Sequence, residues 1–174
     1  EAAASATVWV HDYQLTLVPA LVRARRPDLT IGFFNHIPFP PQELFAQLPW
    51  GSEVLAGLMG ADLVGFQRPS DVSNFLAACR HAHGVEPSDE GFDWRDRDGR
   101  HRRVVARHYP IGVDVESVLE HCRGRAARRL AREFREQLGD RTILLGVDRL
   151  DYTKGIMVRL QAVAELLDTG DVDP

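Results

Sequence analysis

Short apolar runs that alternate with helical patterns constrain the fold of this chain more than any other feature. Three runs, at residues 6–10, 30–35 and 62–66, have compositions typical of strands buried on both faces. Helical patterns lie between them, one with Leu17, Val18, Leu21 and Val22 on its apolar side. Strands joined by helical crossovers run parallel, so this part of the chain is predicted to form a parallel α/β sheet.

The composition changes after Gly84, where the fourth helical pattern ends. Charged side chains dominate residues 85–103, and Asp98-Gly99 is a typical hairpin turn between two short strand patterns. The letters YPIGVD at 109–114 then interrupt any periodic element, because proline and glycine break helices and strands. We therefore place a domain boundary here, with a first domain over 1–112 and the start of a second over 113–174.

The second domain also has a strand pattern followed by a helical pattern, but this pair occurs only once. A charged helix over 116–138, a buried strand over 141–150 and an apolar helix over 156–167 are predicted. One strand with one helix cannot bury both faces of that strand. The missing strands are therefore expected to lie outside this chain.

Composition excludes several classes of protein. With 174 residues, 44% of them hydrophobic, and a formal net charge of −4, the chain is long and apolar enough to bury a core. No apolar run reaches the roughly 20 residues of a membrane span, and the first residues lack the basic segment of a signal peptide. These features predict a soluble, cytoplasmic protein that does not bind membranes.

Neither a metal site nor a nucleic-acid surface is predicted. Cys79 and Cys122 are too few and too distant for a disulfide framework or a zinc site, and we expect both to be buried as small apolar residues. The histidines between 81 and 121 lack the spacing of a ligand set. Arginines between 100 and 141 alternate with acidic residues, which is typical of a solvated helix face rather than of nucleic-acid binding.

His11 is the first candidate site residue. It follows the first apolar run, and open α/β sheets place ligand-contacting residues at the carboxyl ends of their strands. A neutral imidazole there can form a hydrogen bond with a sugar hydroxyl, and the adjacent Asp12 can tune its ionisation. A structural histidine that caps the strand-to-helix turn is the alternative, and it stays open at this point.

A single lysine marks the second candidate site. Of the 21 lysine and arginine residues, only Lys154 is a lysine, and it lies five positions after Arg149 on a turn that leads into a helix. Both cations can converge with the free N–H groups of that helix on one anion, such as a diphosphate. Two alternatives stay open: chance survival of one lysine, and an ion-pair network in which Asp148 and Asp151 neutralise the pair.

Five strings of residues, in this order along the chain, resemble motifs of the trehalose-6-phosphate synthases: WVHDYQLTLVP, GFFNHIPFPPQELF, DLVGFQ, YPIGVD and LGVDRLDYTKGI. The resemblance implies an α/β fold of the glycosyltransferase-B type, with two Rossmann-like domains facing across a cleft. Residues 1–112 would then be a partial acceptor-side domain and 113–174 the start of the nucleotide-sugar-binding domain. The fold is expected to be incomplete at both ends.

The resemblance also implies a reaction. Glucose would pass from UDP-glucose, or another nucleoside-diphosphate glucose, to glucose 6-phosphate with retention of configuration, giving trehalose 6-phosphate. No metal or cofactor is implied, since the nucleotide sugar is a substrate. His11 matches the histidine that contacts the donor glucose near its reacting end, and Asp12 helps to orient that region, so both are predicted to be catalytic. Arg149 and Lys154 match the pair that binds the donor diphosphate.

Other interpretations stay open beside this one. A glucosylglycerol-phosphate synthase or a pseudo-glycosyltransferase would differ at the acceptor site, and a catalytically silent regulatory homologue would keep only the fold. The acceptor-site residues of the family lie outside this chain, so we expect the 174 residues alone to be inactive. Whether the longer enzyme forms a homo-oligomer is left open.

Overall fold

A computed structural model describes residues 3–88, 90–96 and 99–172 and gives the chain a mixed α/β fold. The chain divides into two compact units, Glu1–Val113 and Asp114–Pro174. The first ends one residue after the boundary placed from the sequence. The roles assigned to the two domains stay predictions. Asp98 of the predicted hairpin turn lies outside the described residues.

The described residues of unit 1 form five strands and four α-helices. In chain order the elements are β1 (Thr7–His11), α1 (Val18–Arg25), β2 (Thr30–Phe34), α2 (Gln42–Phe45), α3 (Gly51–Leu58), β3 (Leu63–Phe66), α4 (Pro69–His83), β4 (Gly91–Arg95) and β5 (His101–His108). A 3₁₀ turn, Tyr13–Leu15, follows β1.

The five strands form one sheet in the order β1-β2-β3-β5-β4. Strands β1, β2, β3 and β5 are parallel, and β4 pairs with β5 as an antiparallel hairpin, so the predicted parallel sheet is confirmed. His11 pairs with Phe34, and Phe34 pairs with Gly65. This register puts the carboxyl ends of the first three strands at one edge of the sheet.

Proline and glycine set the bounds of helix α4, as the sequence predicts. Pro69 occupies its first position, and the Asp71 carboxylate accepts a hydrogen bond from the Arg68 backbone N–H at 3.2 Å. Gly84 ends the helix with φ of 64°, and its N–H donates to the Arg80 carbonyl.

The hydrophobic core lies on one face of the sheet. The side chains on that face are fully or nearly fully buried; those from β1 to β3 are Val10, Ile31, Phe33, Val64 and Phe66. The expectation that β1 is buried on both faces is wrong, because Trp9, on the opposite face, is 69% exposed. Since β1 is an edge strand and its second face borders an open cavity, only one face of this strand contacts the core, through the buried Val10 and the half-buried Val8.

Of the apolar side predicted for helix α1, Val18 and Val22 pack against the core, whereas the two leucines do not, and an arginine of this helix is buried. Leu17 and Leu21 are 47% and 53% exposed, whereas Arg23 is 5% exposed. Arg23 donates to the carbonyls of Gly60 and Leu29 and forms an ion pair of 2.6 Å with Asp62. Its guanidinium thus joins α1 to the segments that precede β2 and β3.

Unit 2 contains helices α5 (Val115–Arg123), α6 (Arg125–Leu138) and α7 (Ile156–Asp168), with a 3₁₀ turn, Tyr152–Lys154, before the last. The predicted single helix over 116–138 is interrupted at Gly124, which has an extended backbone. The predicted strand over 141–150 is wrong, since these residues form no ladder and are all exposed. A strand needs a neighbour for its N–H and C=O groups, and the described residues of unit 2 contain no other strand.

The two cysteines differ in environment, which corrects the expectation that both are buried. Cys79 is fully buried in the core, and burial raises the pKa of its thiol, whereas Cys122 is exposed.

We expect a disulfide-exchange reagent such as Ellman's reagent to label Cys122 in the native chain near pH 8 and to label Cys79 only after unfolding. Absorbance of the released thiolate measures both steps, and a Cys122→Ser variant serves as the control. Rapid labelling of both thiols in the native chain would contradict the burial of Cys79.

Candidate functional site

The carboxyl edge of the unit 1 sheet brings two histidines together. His11 ends β1, and His36 lies two residues after β2. Nδ1 of His11 lies 3.0 Å from Nε2 of His36, within hydrogen-bond distance, and the ring planes are 26° apart with centroids separated by 5.3 Å. The sequence predicted His11 at this edge but missed His36. The same argument applied to the end of the second strand would have found it.

Asp12 holds the connection between these strand ends. Its carboxylate accepts hydrogen bonds from the backbone N–H groups of Tyr13, at 2.9 Å, and His36, at 3.2 Å. Its own N–H donates to the Phe34 carbonyl at 2.8 Å. The backbone has φ of 72° and ψ of 164°, a combination that residues other than glycine rarely adopt. Asp12, and not His11, therefore caps the turn after β1, which removes the capping alternative for His11.

Three side chains, of which Asn35 and Asp71 are buried and Asn74 is half-buried, anchor the Pro-rich loop that carries His36. The Asn35 side-chain amide donates to the Ile37 carbonyl at 2.7 Å. Three residues after His36, the Phe39 N–H donates a hydrogen bond to the Asp71 carboxylate at 3.2 Å, and the Phe39 carbonyl accepts one from the Asn74 side-chain amide at 2.9 Å. Hydrogen bonds therefore hold the loop both before and after His36, and they fix the position of its backbone.

An open cavity of about 610 Å³ lies against the sheet face that carries the two histidines. Besides His11 and His36, most of its lining is apolar, with Trp9, Phe34 and Ile111 among the larger side chains. Gly32 and Gly65 also line it and contribute no side chains. A cavity with a few polar groups at its edge suits a ligand with both an apolar surface and hydroxyl groups.

In unit 2, Arg149 and Lys154 lie on the turn before α7, and both side chains are exposed. Gly155 adopts a left-handed conformation with φ of 59° and starts helix α7 directly after the lysine. The first N–H groups of a helix have no partner within the helix and favour negative charge. The turn therefore presents two cations beside a helix amino end.

The two flanking carboxylates have other partners. Asp148 forms an ion pair with Arg159, and Asp151 accepts two hydrogen bonds from Thr153, both 2.9 Å long. Within residues 99–172 and the other described ranges, no carboxylate forms an ion pair with Arg149 or Lys154. The alternative in which an ion-pair network neutralises the two cations is thus not realised.

Charge on this turn nevertheless affects Asp151. Hydrogen bonds from the backbone and hydroxyl of Thr153 lower the pKa of the Asp151 carboxyl, and the charges of Arg149 and Lys154 lower it further. Asp151 therefore stays ionised and holds the turn in shape through Thr153. The four predicted site residues divide between the units, with His11 and Asp12 in unit 1 and Arg149 and Lys154 in unit 2.

In the part of the chain that the structure describes, no three His, Cys, Asp or Glu side chains lie close enough together to hold a metal ion. No helix there is both long and apolar enough to cross a bilayer. The expectation of a reaction without metal or cofactor stays a prediction.

Comparison with known proteins places the chain in a family. The sequence profile of glycosyltransferase family 20 matches residues 1–172. The chain belongs to glycosyltransferase family 20. Among curated members, it is 54% identical to the trehalose-6-phosphate synthases of Mycolicibacterium vanbaalenii and Mycobacterium leprae, over 99% and 97% of its length. It covers 36% and 35% of those proteins, so it spans about a third of the relatives that it matches.

Solved structures share the fold of this chain. An E. coli trehalose-6-phosphate structure bound with UDP-2-fluoro glucose matches with a TM-score of 0.70 and 31% identity, over 93% of this chain and 35% of that one. The N-terminal domain of a Candida albicans trehalose-6-phosphate phosphatase matches with a TM-score of 0.70 and 32% identity, over 93% and 34%. The predicted α/β class, with a Rossmann-like sheet of the glycosyltransferase-B type, is confirmed.

Proposed function

We propose that this chain is part of an enzyme that transfers glucose from UDP-glucose to glucose 6-phosphate with retention, forming trehalose 6-phosphate. The observation that carries the proposal is the 54% identity to a curated trehalose-6-phosphate synthase over 99% of the chain. The matched region spans both units, and so it covers the segments that carry the two histidines and the cationic turn. The E. coli structure bound with UDP-2-fluoro glucose supports a uridine nucleotide sugar as the donor.

In the proposed reaction, the bond between C1 of the donor glucose and the diphosphate oxygen breaks, and its electron pair stays on the diphosphate. Arg149 and Lys154 stabilise the negative charge that grows there, and Arg149 can hold two phosphate oxygens at once. The anomeric hydroxyl of glucose 6-phosphate attacks C1 from the same face, and its proton passes to the departing phosphate oxygen. The configuration at C1 is retained.

Unit 1 supplies the sugar side of this proposal. An imidazole can form a hydrogen bond with a donor hydroxyl, and His11 borders a cavity large enough for a sugar. Asp12 acts on the reaction through its hydrogen bond to the His36 backbone, so it is a positioning residue in this proposal. No cofactor takes part, because the nucleotide sugar is itself a substrate, and we place the reaction in the cytoplasm.

A chimera tests the proposal. In this chimera the 174 residues replace the aligned segment of the Mycolicibacterium vanbaalenii synthase. We expect trehalose 6-phosphate, detected by mass spectrometry, from UDP-glucose and glucose 6-phosphate, and the same yield with EDTA present. GDP-glucose and ADP-glucose test the donor base, and glycerol 3-phosphate tests the glucosylglycerol-phosphate alternative. The 174 residues alone, assayed in parallel, are expected to be inactive.

One comparison favours a second candidate. The Candida albicans match is the N-terminal domain of a protein named as a phosphatase, so this fold also occurs outside proteins named as synthases. In that case the chain would belong to a domain that does not transfer glucose. A folded chimera that binds UDP in calorimetry but forms no glycoside from any tested pair of substrates would favour this candidate.

Substitution of His11 tests its placement on the sugar side. We expect His11→Ala in the chimera to lower kcat by roughly 10- to 100-fold, because one polar contact to the reacting sugar is lost. The dissociation constant for UDP, measured by calorimetry, should stay the same. A loss of UDP affinity as large as the loss of turnover would place His11 at the nucleotide instead.

A further inference from the structure

We propose that His36 is a positioning residue for His11: its imidazole fixes the ring orientation and the proton position of the neighbouring imidazole. The inference deepens the proposed function and rests on it where turnover is concerned. The hydrogen bond between the two rings stands independently of any reaction.

The chemistry of the contact allows only one proton between the rings. A neutral imidazole has one donor and one acceptor nitrogen, so a 3.0 Å contact between Nδ1 of His11 and Nε2 of His36 is satisfied when one of these atoms carries hydrogen and the other does not. The protonation state of Nδ1 in His11 then determines that of its Nε2. With Nδ1 occupied by His36, Nε2 is the nitrogen of His11 that a ligand in the cavity can use.

His36 is held in place by groups other than His11. The Asp12 carboxylate accepts its backbone N–H at 3.2 Å, and the Asn35 amide bonds the carbonyl of the next residue, Ile37. Beyond it, Asp71 and Asn74 hold Phe39. The loop backbone is therefore anchored whether or not the two rings interact, so His36 stays within reach of His11 and can hold the orientation of its ring through their contact.

A purely structural role predicts something different. Both imidazoles are exposed, so removing the His36 ring takes little apolar surface out of the core. A structural role would leave the tautomer of His11 unchanged after substitution. A positioning role changes the tautomer while stability stays the same, and this difference is measurable.

Two amide substitutions of His36 distinguish the positioning role from a purely structural role. Gln places its amide at the position of Nε2 in histidine and can keep a hydrogen bond to Nδ1 of His11, whereas the shorter Asn cannot reach it. We therefore compare His36→Gln with His36→Asn in the 174-residue chain, using ¹⁵N chemical shifts of the imidazole nitrogens at about pH 8, where free histidine is neutral.

The expected shifts are distinct. In the unsubstituted chain and in His36→Gln, His11 should show one protonated and one unprotonated nitrogen. In His36→Asn, its two nitrogens should show the averaged shifts of exchanging tautomers, with an unchanged thermal midpoint. Averaged shifts in the unsubstituted chain, or a single tautomer that persists in His36→Asn, would overturn the proposal.

Turnover in the chimera is the second measurement. We expect His36→Asn to lower kcat roughly three- to tenfold, the range of one hydrogen bond, with unchanged affinity for UDP and with His36→Gln more active than His36→Asn. Equal turnover of both variants and the unsubstituted chimera would overturn the role in catalysis. An inactive chimera with a single His11 tautomer would count against the proposed function and leave the histidine pair supported.

Discussion

Replacement of Lys154 by alanine in the chimera is expected to lower kcat/KM for UDP-glucose by about 100- to 1000-fold, the loss typical of one group that stabilises developing charge. The side chain is exposed on the turn before α7 and has no carboxylate partner among the described residues, so its charge is available to a ligand. Lys154 is the only lysine among the 174 residues, so no other lysine of this segment can take its place.

Two further variants make this result specific. Arg132→Ala removes the same charge from the exposed surface of α6 in the same unit and should leave kcat/KM unchanged. Lys154→Arg keeps the charge but replaces a compact ammonium with a planar guanidinium, so we expect an intermediate loss. An unchanged kcat/KM for UDP-glucose in a folded Lys154→Ala chimera would show that Lys154 does not bind the donor diphosphate.

Arg23→Ala is expected to lower the free energy of unfolding of unit 1 by about 3 kcal/mol, because carbonyls and a carboxylate lose charged donors in a buried environment. The guanidinium bonds the carbonyls of Gly60 and Leu29 and pairs with Asp62, which also accepts the Ile31 N–H at 2.7 Å. The substitution therefore loosens the connections that hold β2 and β3 against α1.

Arg25 provides the matched control, since it lies two residues away on the same helix and is exposed. Its replacement by alanine should change stability by no more than about 0.5 kcal/mol. Urea unfolding followed by tryptophan fluorescence measures both variants, and Trp9, Trp50 and Trp94 all lie in unit 1, so the signal reports on this unit. Equal midpoints for the two variants would show that the buried network contributes little.

The order of elements in unit 1 could be predicted because the first three strand patterns are short, apolar and separated by helices, and the last two flank a typical hairpin turn. That order also determines which strand ends meet at one edge, and so the position of His11 could be predicted. The strand-end argument also places His36 near this edge, but its contact with His11 could not be predicted, since His36 lies in a Pro-rich loop whose path depends on distant contacts with Asp71 and Asn74.

Burial could not be predicted from the sequence where it depends on contacts with other segments, because the periodicity of apolar residues does not reveal those contacts. Residues 141–150 are apolar enough for a central strand, yet the described part of unit 2 offers them no neighbouring strand. Helix α1 has an apolar side that includes Leu21, but the buried side carries Arg23, because a guanidinium with several acceptors can replace a leucine in the core. Cys122 was misplaced because cysteine is usually buried.

The backbone conformation of Asp12 carries a cost in stability that the hydrogen bonds of its carboxylate offset. Its conformation costs a residue with a side chain about 1–3 kcal/mol, a cost that glycine would avoid. Glycine has no carboxylate, however, and would leave the N–H groups of Tyr13 and His36 without their acceptor. Because the relief of backbone strain and the loss of two hydrogen bonds are of similar size, glycine at position 12 should change thermal stability little, whereas the loss of the acceptor that holds His36 should lower activity.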